Sequence, residues 1–219
     1  MKVSERLIAK AMPIWETYFE HPFVKGIADG TLPVEKFRFY MIQDHKYLMQ
    51  YAKVFALGVL KADKEADMRF FSGMLTAILD TENATHQSYL AKLGVTKEDI
   101  ENTPMTLNNE SYTNYMISIA TKGGLPELSA AVLACSRSYY LIGKYIEDNY
   151  PEAKDHPFYG YWVNTYTNDI FRQCDEILMQ MTDRFAENCS EEELQELERI
   201  VLLCSEYEYN FWEMCYKAD

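Results

Sequence analysis

Residues 33–62, PVEKFRFYMIQDHKYLMQYAKVFALGVLKA, decide the fold class. Phe37, Tyr40, Asp44, Tyr47, Tyr51 and Phe55 recur at intervals of three and four, the repeat of one helix face. No alternation of period two is sustained. Pro33 stands where the first turn of a helix tolerates it. The stretch therefore predicts one long helix. The same face raises a chemical question, because Asp44 stands among aromatic rings. A carboxylate withdrawn from water costs free energy unless it is protonated or hydrogen-bonded.

Helical periodicity continues outward in both directions. Helices are predicted at 2–19, 33–62, 64–92, 108–122, 126–149, 159–188 and 191–216, with short turns at 22–28 and 97–102. The punctuation agrees. Gly94 is a C-terminal stop, and Pro126, after Gly123 and Gly124, opens the next helix. Ser190 with Glu193 forms a capping box. No linker, repeat or low-complexity tract divides the chain. The expected architecture is a single all-α domain over residues 1–219, a bundle of long helices.

Composition narrows the function classes. Hydrophobic residues make up 48% of the 219, enough for a sizeable core. A net charge of −13 argues against binding nucleic acid or an anionic membrane through the overall field. No run of 18 apolar residues is present, and the opening MKVSERLIAKAMPIW lacks the apolar centre of a signal peptide. The five cysteines, 135, 174, 189, 204 and 215, are odd in number and never spaced CxxC. Reduced thiols and a cytoplasmic location are expected. Seventeen tyrosines ask for sites where the ring is dry and the hydroxyl partnered.

Two further helix faces repeat the anomaly of Asp44. Leu197, Val201, Cys204, Glu208, Phe211 and Cys215 place a carboxyl among apolar side chains. Leu128, Val132, Cys135, Tyr139, Ile142 and Ile146 place a thiol there. Each has an ordinary reading: an inert core cysteine, a carboxyl meeting a core tyrosine or arginine, an aromatic stripe that is only core. Spacing leaves open whether the three converge. If they do, aromatic walls suit a flat heterocycle, an Asp accepts from its amine, a thiolate attacks carbon and a desolvated Glu moves a proton. Metal is not expected: di-iron bundles use Glu-x-x-His pairs, and none occurs here; Asp44-His45 and Glu82-x-x-x-His86 do not have that spacing. There is no Gly-rich phosphate loop and no Ser-centred elbow.

The segment HPFVKGIADGTLPVEKFRFYMIQDHKYLMQYAK (21–53) strongly resembles the opening of the TenA family, the thiaminase II or aminopyrimidine aminohydrolase proteins. Further matches follow in order: ENATHQSYLAKLGV (82–95), SYTNYM (111–116) with Tyr112, Cys135-x-x-x-Tyr139, YWVNTY (161–166) and EYEYNFWEMCY (206–216). They span nearly the whole chain. The resemblance implies a haem oxygenase-like helical bundle without haem or other cofactor, assembled as a homotetramer. It implies hydrolysis of 4-amino-5-aminomethyl-2-methylpyrimidine, a thiamine breakdown product, and of thiamine, to 4-amino-5-hydroxymethyl-2-methylpyrimidine, a step of thiamine salvage. By position, Cys135 would be the nucleophile and Glu208 the acid and base. Asp44 would bind the aminopyrimidine edge, and Tyr47, Tyr112, Tyr139, Tyr166 and Phe211 would line the ring's site.

One departure is local. The family pattern around the cysteine is Pro-Cys-x-Trp-x-Tyr, whereas Ala134 precedes Cys135 here and Arg137 stands in the Trp position. Arg137 is expected at the surface or against a neighbouring subunit. Two other classes compete with the enzyme reading: a non-catalytic or regulatory protein that binds a thiamine fragment, and a structural bundle with inert thiols. The quinone-cofactor synthase relative, an oxidase, has a His-rich site that finds no match in this chain.

Overall fold

In the computed structural model the opening stretch forms one helix, α3 (Val34–Lys61), entered through Pro33. The structure describes residues 1–218, except the side chains of 81–86. Around α3 stand α1 (Val3–Glu20), α2 (Pro22–Ala28), α4 (Glu65–Thr76), α5 (Asn83–Lys92), α6 (Lys97–Asn102), α7 (Leu107–Lys122), α8 (Leu125–Asn149), α9 (Gly160–Thr167), α10 (Asp169–Phe185) and α11 (Glu191–Lys217). No β-strand occurs among the described residues. None of these helices is long and apolar enough to cross a membrane.

Two predicted helices are subdivided. The stretch 64–92 contains a π-helical turn, Ala77–Glu82, between α4 and α5. The stretch 159–188 breaks at Asn168, whose backbone is extended and whose side chain accepts from the Phe171 N–H at 2.8 Å to cap α10. The break carries neither glycine nor proline, so the apolar period runs through it. The one sign was an Asn–Asp pair, the chemistry of a helix start. A 3₁₀ turn at Pro151–Asp155 also went unread.

α11 is packed by α8 and α1, and α3 by α4 and α7. The core they share runs from Leu7 to Cys215. Gly58, the only glycine in α3, leaves room for Phe71 of α4: a Cβ there would sit 2.5 Å from the Phe71 ring. Polar pins fix α11 in register. Trp15 Nε1 donates to Ser205 Oγ at 2.8 Å, and the Tyr18 hydroxyl donates to the Ser205 carbonyl at 2.5 Å. The His-Pro segment serves the same end. His21 Nδ1 accepts from the Phe23 N–H at 3.1 Å to cap α2, while Nε2 lies 3.1 Å from Glu213 Oε1. On the other side, Gln43 clasps the 103–106 connection. Its amide donates to the Pro104 carbonyl at 2.9 Å and accepts from the Thr106 N–H at 3.1 Å.

Arg137 does not stand free at the surface. Its guanidinium turns inward to Asp175 of α10 at 2.6 Å, leaving 20% of the Arg side chain and 1% of the Asp side chain exposed. Ser136 Oγ also reaches Asp175, at 3.3 Å. Burial pushes the Asp175 carboxyl up, against the pull of Arg137. Arg137→Ala would strand a buried acid. It is expected to cost about 3 kcal/mol, measured by urea unfolding. A loss of under about 1 kcal/mol would mean that the pair is solvated.

Candidate active site

The three unusual faces are buried as the periodicity requires. Asp44, Tyr47, Tyr112, Tyr139, Glu208 and Phe211 are all buried, and Cys135 is partly buried. Each helix supplies one reactive group: α3 brings Asp44, α8 brings Cys135, α11 brings Glu208. All three lie mid-helix, where the backbone is fixed by its own hydrogen bonds.

Their fields meet on the same rings. Burial holds the Tyr47 and Tyr112 hydroxyls well above the ordinary tyrosine range, and charge at Cys135 and at Glu208 adds to it in both. Tyr18 is raised by burial first, then by Glu208 and Cys135. The thiol and the carboxyl therefore share one neighbourhood. Burial pushes Glu208 up to about 8, with the Asp44 charge adding and the Tyr112 and Tyr139 hydroxyls pulling the other way. A carboxyl so placed is protonated at neutral pH and can act as an acid.

The walls are aromatic. Tyr47 lies 5.5 Å from Tyr112 and 5.9 Å from Phe211, centroid to centroid. Tyr139 packs 4.7 Å from Tyr166, which is half-buried at the edge. Tyr112 stacks on Tyr207 at 5.5 Å and 13°.

Polar atoms among these side chains are left over, Trp212 Nε1 beside Tyr139 being one. Glu208 Oε2 and the Tyr112 hydroxyl are buried without a hydrogen-bond partner. The Tyr112 hydroxyl is near enough to the Glu208 carboxyl to favour its ionised form. Native interiors seldom leave such atoms unpaired. A donor and an acceptor held open beside stacked rings fit a flat ligand carrying both.

Sequence reasoning missed Tyr40 and Trp162 as neighbours of this site. Trp162 Nε1 donates to the Tyr40 hydroxyl at 3.2 Å, beside Tyr139. Both stood in recognised stretches, yet no spacing rule could join residues 122 apart. The Glu82 and His86 side chains lie outside the described residues. Among the described residues, no group of three His, Cys, Asp or Glu side chains could hold a metal ion. Cys174 and Cys189 are partly buried, as Cys135 is. Cys204 and Cys215 are fully buried and pushed up by burial, and Cys189 is raised for the same reason.

Known proteins resemble this chain in sequence and fold. A Helicobacter pylori protein named aminopyrimidine aminohydrolase is 43% identical over 218 residues, all of both chains. The solved structure of a TenA homologue from P. horikoshii OT3 superposes with a TM-score of 0.91 at 29% identity, over the full length of both chains. A Shewanella denitrificans domain described as having a heme oxygenase-like fold superposes at 0.76 with 16% identity, over 98% of this chain and 92% of that one, a likeness of fold alone. The model of the TENA/THI-4/PQQC family matches residues 8–218. With nearly every residue matched and the same helical fold, this chain belongs to the TENA/THI-4/PQQC family.

Proposed function

We propose that this chain is an aminopyrimidine aminohydrolase of the thiaminase II type. Its substrates would be 4-amino-5-aminomethyl-2-methylpyrimidine and thiamine, and its product 4-amino-5-hydroxymethyl-2-methylpyrimidine. The observation that carries the reading is Glu208, a buried carboxyl with an open oxygen, sharing its aromatic surroundings with the partly accessible Cys135.

The chemistry follows from the parts. The Cys135 sulfur, its proton passed to the substrate's aminomethyl nitrogen or, with thiamine, to solvent, bonds to the ring carbon beside the substituted one while Glu208 gives its proton to the adjacent ring nitrogen. The electron pair then returns through the ring and expels ammonia, or thiazole from thiamine, from the exocyclic methylene. Water adds to that carbon and gives up a proton to solvent. Glu208 takes the ring proton back, and the thiolate leaves. Dry walls help twice: they hold Glu208 protonated beforehand, and they keep water from the ring until a leaving group has gone. The working assembly is proposed to be a homotetramer, read by light scattering.

The direct test is to incubate the purified protein with the aminomethylpyrimidine. Ammonia and the hydroxymethylpyrimidine should appear in equal amounts, and no ammonia would sink the reading. Asp44→Asn should raise KM by about ten- to a hundredfold, the loss of a charged hydrogen bond to the substrate amine. An unchanged KM would remove Asp44 from the binding edge.

A further inference from the structure

We propose that Ser136, Arg137 and Asp175 are positioning residues for this reaction: one carboxyl of α10 grips the two residues that follow Cys135, and so fixes where α8 presents the thiol. The inference rests on the hydrolase reading, but the clamp it describes exists in the free protein.

Asp175 gives its two oxygens to consecutive residues of α8. Its Oδ2 accepts from Arg137 Nη1 at 2.6 Å, and its Oδ1 accepts from the Ser136 hydroxyl at 3.3 Å. Successive residues of a helix stand about 100° apart around its axis. Ser136 and Arg137 therefore occupy the flank and the back of the helix whose front carries Cys135 and Tyr139. Two contacts at different angles oppose both rotation of α8 and its sliding along α10. A further polar contact lies on the thiol's own turn, where Ser138 Oγ donates to the Cys135 carbonyl at 3.1 Å. The Arg137 guanidinium also lies over the Tyr140 ring, 5.0 Å from its centroid.

Stability alone gives no reason for this arrangement. Asp175 is buried completely. Taking an acid and a guanidinium out of water offsets much of their attraction, and well-packed apolar side chains of similar volume often serve as well or better. Arg137 Nε is moreover buried without a hydrogen-bond partner, a loss that an arrangement tuned for stability would avoid. What the pair adds is direction. A charged hydrogen bond holds at one distance and angle, whereas apolar contact is non-directional. The clamp begins one residue after the atom whose placement matters most, since a misplacement of about 1 Å can cost about a hundredfold in rate.

The same helix carries a control. Arg184 Nη1 and Nη2 meet Asp67 of α4 at 2.9 and 2.5 Å, and Asp67 is buried as well. That pair stands about 13 Å along α10 from Asp175, and no candidate site residue adjoins it in sequence. The double substitution Arg137→Met with Asp175→Leu removes both charges and nearly keeps the volume. Its urea midpoint should stay close to that of the wild type. Its kcat should fall about ten- to a hundredfold with KM within about threefold. Arg184→Met with Asp67→Leu should leave kcat within about twofold of wild type. Arg137→Lys, whose ammonium can reach the same oxygen, should recover most of the lost kcat.

A second readout needs no turnover. In the ligand-free double variant at positions 137 and 175, the rate of Cys135 alkylation by iodoacetamide should change by about threefold or more, with Cys189 in the same sample as the reference. A crystal structure of that variant should show the Cys135 sulfur displaced by about 0.5 to 1 Å. A folded double variant with wild-type kcat and an unchanged Cys135 alkylation rate would overturn the proposal. So would an equal loss of kcat in the control pair. If the double variant does not fold, Asp175→Asn decides: it keeps the shape and removes the charge, and wild-type kcat and alkylation there would overturn the proposal equally. If the wild type releases no ammonia, the hydrolase reading falls, and the alkylation rates and the sulfur position alone decide whether the clamp places the thiol.

Discussion

Cys135→Ser is expected to lower turnover of the aminomethylpyrimidine roughly a thousandfold or more, with substrate affinity within about threefold of wild type by calorimetry. The substitution keeps a small polar side chain of near-equal size, so the pocket walls stay as they are. What it removes is a soft, easily ionised sulfur. A serine hydroxyl needs a base to become a nucleophile, and none of the chain's four histidines stood out in sequence as its partner. Alkylation gives an independent check. Iodoacetamide should modify Cys135 ahead of Cys189, whose thiol is raised by burial. It should leave Cys204 and Cys215 untouched, since both are fully buried. Substrate should protect Cys135. Undiminished ammonia release from Cys135→Ser would end the covalent mechanism. Binding without turnover in the wild type would instead favour a binding protein of the same fold.

The helices and their buried faces were legible because both are local properties. A stripe at intervals of three and four states which side of a helix is dry, whatever it packs against. Asp44, Cys135 and Glu208 could each be singled out because a buried polar group breaks such a stripe. Their meeting was not legible, since it depends on how α3, α8 and α11 cross, which no single helix encodes. Arg137 shows the same limit. Its partner Asp175 lies on another helix, 38 residues away, so an inward-facing ion pair looked like a surface charge. Asn168 is the opposite case: its capping signal was local, but an unbroken apolar period outweighed it. The resemblance to a family supplied the proposed membership of the site before any geometry did. It did not supply the Trp162–Tyr40 link, which comes from the fold.

Glu208→Gln should bind the pyrimidine yet lose about a hundredfold to ten-thousandfold in kcat, the range spanned by a positioned acid–base group. An amide of the same shape neither gives the ring nitrogen a proton nor takes one back. The same substitution should raise stability, and the sign follows from linkage. The Glu208 carboxyl is held at about 8 in the folded protein, against an ordinary value of 4.5. Below the ordinary value both the folded and unfolded chains carry it protonated, and the wild type has no disadvantage. Between 4.5 and 8 the unfolded chain ionises while the folded chain stays neutral, so stability falls as pH rises through that window. Glutamine has no proton to lose. The variant should therefore be more stable than wild type by a few kcal/mol at the top of the window and nearly equal to it near pH 4.5, the ordinary value for Glu. Urea unfolding at several pH values measures the gap. An inactive variant with no pH-dependent gain would mean that Glu208 is ionised in the folded protein. A fully active variant would remove it from proton transfer altogether. The two results together test one physical condition: that dry aromatic walls, at some cost in stability at neutral pH, hold an acid ready beside a thiol.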